Sequence, residues 1–95
     1  ILPCVTNWEE HVFHLFTVRC ERRDELLQFL KQRGIQTGIH YPIAPHEQEC
    51  YKDLYELSLP ITELIHRQEL SLPMSPMLSI EEAEYVADSI NGFQL

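Results

Sequence analysis

The hydrophobic period of this chain changes twice between His11 and Pro42, and that double change limits the folds open to it. His11 to Cys20 reads HVFHLFTVRC, rich in β-branched and aromatic residues and free of breakers. In an extended segment Val12, His14, Phe16, Val18 and Cys20 share one face, and His11, Phe13, Leu15, Thr17 and Arg19 share the other. Both faces are apolar in the middle, which predicts a central strand covered on two sides. From Arg23 to Arg33 the spacing becomes helical, with Leu26, Leu27, Phe29 and Leu30 as the apolar stripe. Asp24 and Glu25 fall in the first turn and Lys31 and Arg33 in the last, as the helix dipole favours. Gly34 follows at the position where a left-handed residue closes a helix. Ile35 to Tyr41 returns to period two, with Gln36, Gly38 and His40 facing away from Ile35, Thr37, Ile39 and Tyr41. Pro42 offers no ladder donor and ends that strand.

The remainder is shorter in phrase. Pro42 and Pro45 mark a turn-rich loop, and a short helix is expected over His46 to Leu57. Pro60 suits the first turn of another helix running to Glu69, with Ile61, Leu64 and Ile65 turned inward. Leu70 to Met74 reads as a short strand, and Pro73 and Pro76 break the chain around it. Ser79 and Glu82 form the S-x-x-E pattern of a capping box. The helix behind it carries Ile80, Ala83, Val86, Ala87 and Ile90 on one face and stops at Asn91-Gly92. Three short strands are too few for a doubly wound sheet. The expected class is therefore α+β, a small sheet with helices packed on one face.

At 95 residues, with 44% hydrophobic and 23% charged content, the chain is expected to be one globular domain spanning 1–95. A domain of that size buries a modest share of its surface and is marginal by itself. It opens on Ile-Leu-Pro without methionine, which is read as the edge of a fragment. A net charge of −8 argues against nucleic acid and against an anionic membrane surface as partners. No stretch is long and apolar enough to span a bilayer. Cys4, Cys20 and Cys50 are odd in number and widely spaced, so a reducing cytoplasm is expected rather than a disulfide framework.

Few residues invite chemistry on pattern alone. His40, His46 and Cys50 lie close together, and His46 and Cys50 have an i, i+4 spacing. A fourth ligand has no obvious position, so no metal site is expected; a surface His46 and a half-buried Cys50 are. No local signature marks any cysteine as a nucleophile. His14 lies in an apolar strand and is read as a core or interface histidine. The acidic groups at Glu47 to Glu49 and Glu81 to Glu84 flank helix starts and read as solvated faces. In His40-Tyr41-Pro42 the histidine shares a strand face with Gly38, whose missing side chain leaves room for another backbone or a ligand. Pattern alone does not choose between that ligand-facing pair and a solvated His beside a core Tyr.

Several segments together resemble a known family. F-H-L-F-T-V-R at Phe13 to Arg19, R-D-E-L at Arg23 to Leu26 and K-Q-R-G-I-Q-T-G-I-H-Y-P at Lys31 to Pro42 are similar to the C-terminal domain of the DegT/DnrJ/StrS sugar aminotransferases. P-H-E-Q at Pro45 to Gln48, L-P-I-T-E at Leu59 to Glu63, L-S-L-P-M at Leu70 to Met74 and the final E-E-A-E-Y-V helix extend the likeness from about His11 to Phe93.

The resemblance implies the small C-terminal domain of a fold-type-I transferase dependent on pyridoxal 5′-phosphate (PLP). Such enzymes are homodimers that move an amino group from glutamate, leaving 2-oxoglutarate, onto a keto group of a nucleotide-linked hexose. It implies a cytoplasmic parent in polysaccharide biosynthesis. The Schiff-base lysine belongs to the large domain, and neither Lys31 nor Lys52 matches it. No catalytic residue and no bound PLP are therefore expected in this fragment, which would be inactive alone. His40 and Tyr41 correspond to residues that reach the nucleotide sugar, where an imidazole donor and a phenol can hydrogen-bond a diphosphate. L-P-I-T-E and L-S-L-P-M look like enzymes that aminate C3 of dTDP-linked 3-keto-6-deoxyhexoses. Two other functions stay open: a PLP-dependent sugar dehydratase on the same scaffold, and a stand-alone α+β ligand-binding or regulatory module.

Overall fold

A computed structural model describes residues 1–94. Their elements in chain order are β1 (Phe16–Arg19), α1 (Arg23–Gln32), two 3₁₀ segments (Pro45–Glu47 and Glu49–Leu54), α2 (Pro60–Gln68), β2 (Glu69–Leu72) and α3 (Ile80–Asn91). The class is α+β, a small sheet with helices, as the alternating periods predict. β1 and β2 pair antiparallel, with Phe16 opposite Leu72, Thr17 opposite Ser71, Val18 opposite Leu70 and Arg19 opposite Glu69.

This register sorts the sheet into two faces. Val18 and Leu70 point to the apolar side, where they join Leu26 and Leu30 of α1 and Ile35 in one buried cluster. Val86, Ile90 and Phe93 pack against that cluster from α3 and the segment behind it. Leu30 and Leu70 are fully buried. Thr17, Arg19, Glu69 and Ser71 occupy the opposite face.

The central strand is β2, not β1 as expected from its apolar faces. One edge of β2 meets β1. The other meets Gly38, whose N–H donates to the Ser71 carbonyl at 3.0 Å while its carbonyl accepts from the Ser71 N–H at 2.7 Å. The strand expected over Ile35 to Tyr41 is reduced to this single bridge. Extending it one way needs Gln36 opposite Pro73, which has no N–H to give. Extending it the other way needs His40 opposite Glu69, but the His40 N–H donates to the Glu69 side chain at 2.8 Å instead. The Glu69 carbonyl accepts from Arg23 Nη1 at 3.2 Å. Ladder partners on both sides are thus missing or already engaged.

Other boundaries also differ. β1 begins at Phe16 rather than His11, since Phe13 sits at φ 45°, outside the extended region. His14 therefore precedes the strand and is exposed, not a core residue. The helix expected over His46 to Leu57 is replaced by the two 3₁₀ segments, with Tyr51 out of helical geometry at φ −116°, ψ 43°. Tyr51, Leu54, Tyr55 and Leu57 are all exposed, so this stretch has no buried apolar face to hold an α-helix. α2 forms where expected, but Ile61, Leu64 and Ile65 remain 74%, 38% and 37% exposed rather than inward. α1 and α3 have already covered the apolar side of the sheet.

Helix ends follow their local signals. Gly34 adopts φ 75°, its N–H donates to the Lys31 carbonyl and the next N–H, from Ile35, donates to the Leu30 carbonyl, both at 3.0 Å. That is the Schellman pattern, and Ile35 and Leu30 supply its buried apolar contact. Ser79 and Glu82 close the capping box of α3 reciprocally, at 3.1 and 2.8 Å. At the start of α2 the Glu63 carboxylate accepts from the Leu59 N–H at 2.8 Å and from Nε2 of buried His46 at 3.2 Å. This ties the first 3₁₀ segment to α2.

Gly34→Ala forces an L-residue into the left-handed region with no new steric contact, since nothing lies within 4 Å of an added Cβ. It should lower stability by about 1–2 kcal/mol in denaturant unfolding. The Leu59 N–H, and after it His46, hold the Glu63 carboxyl below its ordinary value of 4.5. A lowered native pKa contributes stability that is present above the ordinary value and lost as pH falls through the native one. Glu63→Gln should therefore unfold more readily than the parent chain at neutral pH, with the gap closing on acidification below pH 4.5.

Candidate functional site

The site is built on the polar face of β2. Glu69 and Ser71, two residues apart, point to the same side and are 5% and 4% exposed. Burying a carboxylate requires partners, and Glu69 has two. Its Oε2 accepts from the His40 N–H at 2.8 Å and its Oε1 from the Ser71 hydroxyl at 2.6 Å. The Ser71 oxygen lies 2.8 Å from Nδ1 of His40, which closes a ring of three hydrogen bonds. The His40 ring is thereby held at its Nδ1 edge, and the residue itself is exposed.

Tyr41 follows directly, 64% exposed, with its ring edge-on to His40 at 5.5 Å between centroids. The peptide bond between the two is cis. The Tyr41 carbonyl accepts from Nδ1 of His66 on α2 at 2.5 Å. The same α2–β2 junction is gripped by Arg23, whose Nη1 donates to the carbonyls of His66 and Glu69 at 3.4 and 3.2 Å. Thus the two residues singled out from the sequence stand side by side on the surface, with their backbone and one ring edge fixed from beneath.

Gly38 has a different role from the one expected. An added Cβ there would lie 2.7 Å from Cε1 of His40. The space left by its missing side chain is filled by the His40 ring, not by an approaching backbone or ligand. Sequence reasoning also missed Glu69, Ser71 and His66. The available signal was the polar pair at 69 and 71 alternating with Leu70 and Leu72 in a short strand; placing the strand start at Leu70 hid half of it.

The other candidates part company. His46 is buried and Cys50 exposed, the reverse of the expectation. His46, Glu47 and Glu63 offer one potential ligand atom each within 4.8 Å of one another. Glu63 is already occupied by Leu59 and His46. Lys52 is exposed and paired with Glu49 at 3.6 Å, and Lys31 lies exposed in the last turn of α1. Neither lysine is enclosed, so neither offers the buried amine that a Schiff base with PLP would need. A cavity of about 530 Å³ opens elsewhere, between β1, α1 and the end of α3, lined by Val18, Leu26, Ile90 and Phe93 among others. No described helix is long and apolar enough to cross a membrane.

A sequence profile of the DegT/DnrJ/EryC1/StrS aminotransferase family matches residues 2–91. The chain is 46% identical over 92 residues to a dTDP-3-amino-3,6-dideoxy-alpha-D-galactopyranose transaminase of Aneurinibacillus thermoaerophilus, covering 97% of this chain and 25% of that one. It is 45% identical over 91 residues to a dTDP-3-amino-3,4,6-trideoxy-alpha-D-glucose transaminase of Streptomyces venezuelae, covering 94% and 24% respectively. Among solved structures, S. venezuelae DesV in complex with a ketimine intermediate superposes with a TM-score of 0.84 at 47% identity, over 94% of this chain and 24% of that one. NtdA of Bacillus subtilis with bound PMP superposes with a TM-score of 0.77 at 35% identity, over 87% and 20%. The chain spans about a quarter of the length of the curated relatives it matches. By the match over nearly its whole length, the chain belongs to the DegT/DnrJ/EryC1/StrS aminotransferase family.

Proposed function

We propose that this chain is the C-terminal domain of a PLP-dependent aminotransferase that delivers an amino group to a keto-sugar nucleotide. The observation that carries the reading is that 97% of the chain aligns, at 46% identity, with a quarter of a dTDP-sugar transaminase. PLP and its Schiff-base lysine then reside in the remaining part of the parent, in keeping with the two exposed lysines here. The amino donor is glutamate, and the parent is a cytoplasmic homodimer serving polysaccharide biosynthesis.

The surface supports an incomplete unit. The Cα radius of gyration is 15.2 Å, against about 12 Å for a compact domain of this length. Tyr51, Leu54, Tyr55, Leu57, Leu59 and Ile61 follow one another along the exposed stretch into α2. An apolar run of that kind marks a contact surface, and a larger domain of the same parent would cover it.

Within this division of labour, the chain's part is substrate grip. His40 and Tyr41 project from a backbone fixed by Glu69 and His66, and they contact the nucleotide sugar. Both curated relatives described above are transaminases of dTDP-3-amino sugars. The preferred substrate is accordingly a dTDP-linked 3-keto-6-deoxyhexose.

The test uses the full-length parent with PLP bound. It should transfer an amine from glutamate to a 3-keto-sugar nucleotide. His40→Ala should raise KM for the sugar nucleotide roughly tenfold, the size of one net hydrogen bond. KM for glutamate and the cofactor absorbance should stay unchanged. An unaltered KM for the sugar nucleotide would sink the assignment of His40. Gly38→Ala, whose Cβ would meet the His40 ring at 2.7 Å, should shift the same KM in the same direction with the cofactor still bound.

A further inference from the structure

We infer that Glu69 and Ser71 are positioning residues that hold His40 in the Nδ1–H tautomer, so that its other ring nitrogen, Nε2, accepts a hydrogen bond from a hydroxyl or imide N–H of the nucleotide sugar. The inference rests on the substrate contact proposed for His40 and adds the chemistry of that contact.

The argument is a count of protons around a closed ring. An ionised carboxylate only accepts hydrogen bonds. Glu69 Oε2 takes the His40 N–H at 2.8 Å, and Oε1 takes the Ser71 hydroxyl at 2.6 Å. A hydroxyl has one proton, and Ser71 has given it to Glu69. Its oxygen, 2.8 Å from His40 Nδ1, can only accept. The proton between them therefore belongs to Nδ1. In the neutral ring Nε2 is then the lone-pair nitrogen, and which nitrogen is protonated is set by the partner of the other.

The consequence is a choice of substrate group. A neutral His40 of this tautomer repels a phosphate oxygen, which is also an acceptor, and attracts a sugar hydroxyl or the imide N–H of a thymine-type base. This replaces the imidazole-to-diphosphate contact expected from the sequence. The surroundings agree. Arg19 is bonded to Gln68 at 2.8 Å and Arg23 to the Glu69 carbonyl at 3.2 Å, so these two arginines beside β2 are turned to the protein, and exposed Arg67 on α2 is the cation left for a phosphate.

The experiment is nitrogen NMR of the full-length enzyme labelled at histidine, with the His40 signals identified by their loss in His40→Gln. His40 should show a protonated Nδ1 and an unprotonated Nε2. Glu69→Gln makes a sharper demand. Its amide oxygen must serve the His40 N–H, so its NH₂ donates to Ser71, and the Ser71 proton turns to His40 Nδ1. The two imidazole nitrogens should exchange their signatures, and KM for the sugar nucleotide should rise about tenfold with KM for glutamate unchanged. Ser71→Ala should give the same KM rise and Ser71→Thr, which keeps the hydroxyl, should restore it. A protonated Nε2 in the unsubstituted enzyme overturns the inference, and this measurement needs no variant to fold. So does a KM that stays fixed when Glu69→Gln exchanges the signatures while His40→Ala raises it. If His40→Ala itself leaves KM unchanged, the substrate contact fails, whatever the tautomer.

Discussion

β2 is hydrogen-bonded on both edges and buried on both faces, and the rest of the structure is arranged around that constraint. Leu70 sits without exposure among Leu26, Leu30 and Val18, while Glu69 and Ser71 are sealed on the opposite side. A slip of one residue would turn every side chain to the wrong face. It would press a carboxylate into the leucine cluster and place Leu70 under His40. An unpaired buried charge costs far more than a lost apolar contact. The register is thus fixed from both faces, and a strand of four residues positions the core and the site in one act.

The same strand explains how much could be seen beforehand. α1, its glycine stop and the α3 capping box were legible because each signal acts within one or two turns. Asp24, Gly34, Ser79 and Glu82 need no distant partner to work. The strand over Ile35 to Tyr41 was misjudged because its end is decided by Glu69, a carboxylate 29 residues away that takes the His40 N–H. Period two was present, but a side chain competed successfully for the ladder donor. His46 was expected at the surface and is buried because its partner, the Glu63 carboxylate, lies 17 residues away on α2; Cys50 falls in the separate second 3₁₀ segment and stays exposed. Gly38 was correctly marked as the place where space matters. Its occupant, the ring of a residue two positions along, was not readable from alternation alone.

The outward face of α2 carries a related lesson. Ile61, Leu64 and Ile65 have the spacing of a buried stripe, yet the small sheet has one apolar side and α1 and α3 fill it. An amphipathic pattern states that a face wants cover; it does not state whose. Here the extended shape and the exposed run from Tyr51 to Ile61 point the same way as the quarter-length match to the relatives. On the proposed reading, that cover is the rest of the parent.

An acidic chain with a net charge of −8 is a poor place to capture a diphosphate by charge. Coulomb attraction would have to come from its few cations; Arg19, Arg22, Arg23 and Arg33 are engaged with Gln68, Glu25, backbone carbonyls and the Phe29 ring, and Lys52 is paired with Glu49, which leaves Lys31 and Arg67. What the chain can supply cheaply is orientation. A neutral imidazole whose tautomer is dictated by a buried carboxylate through a hydroxyl discriminates donors from acceptors at one point, without a counter-charge. Rejecting the wrong hydrogen-bond polarity is a strong filter, because the mismatched group is left desolvated and unpaired. Under the proposed function, charge recognition and amino transfer reside on the remaining part of the parent, and this domain's proposed share is to select which edge of the nucleotide sugar faces it.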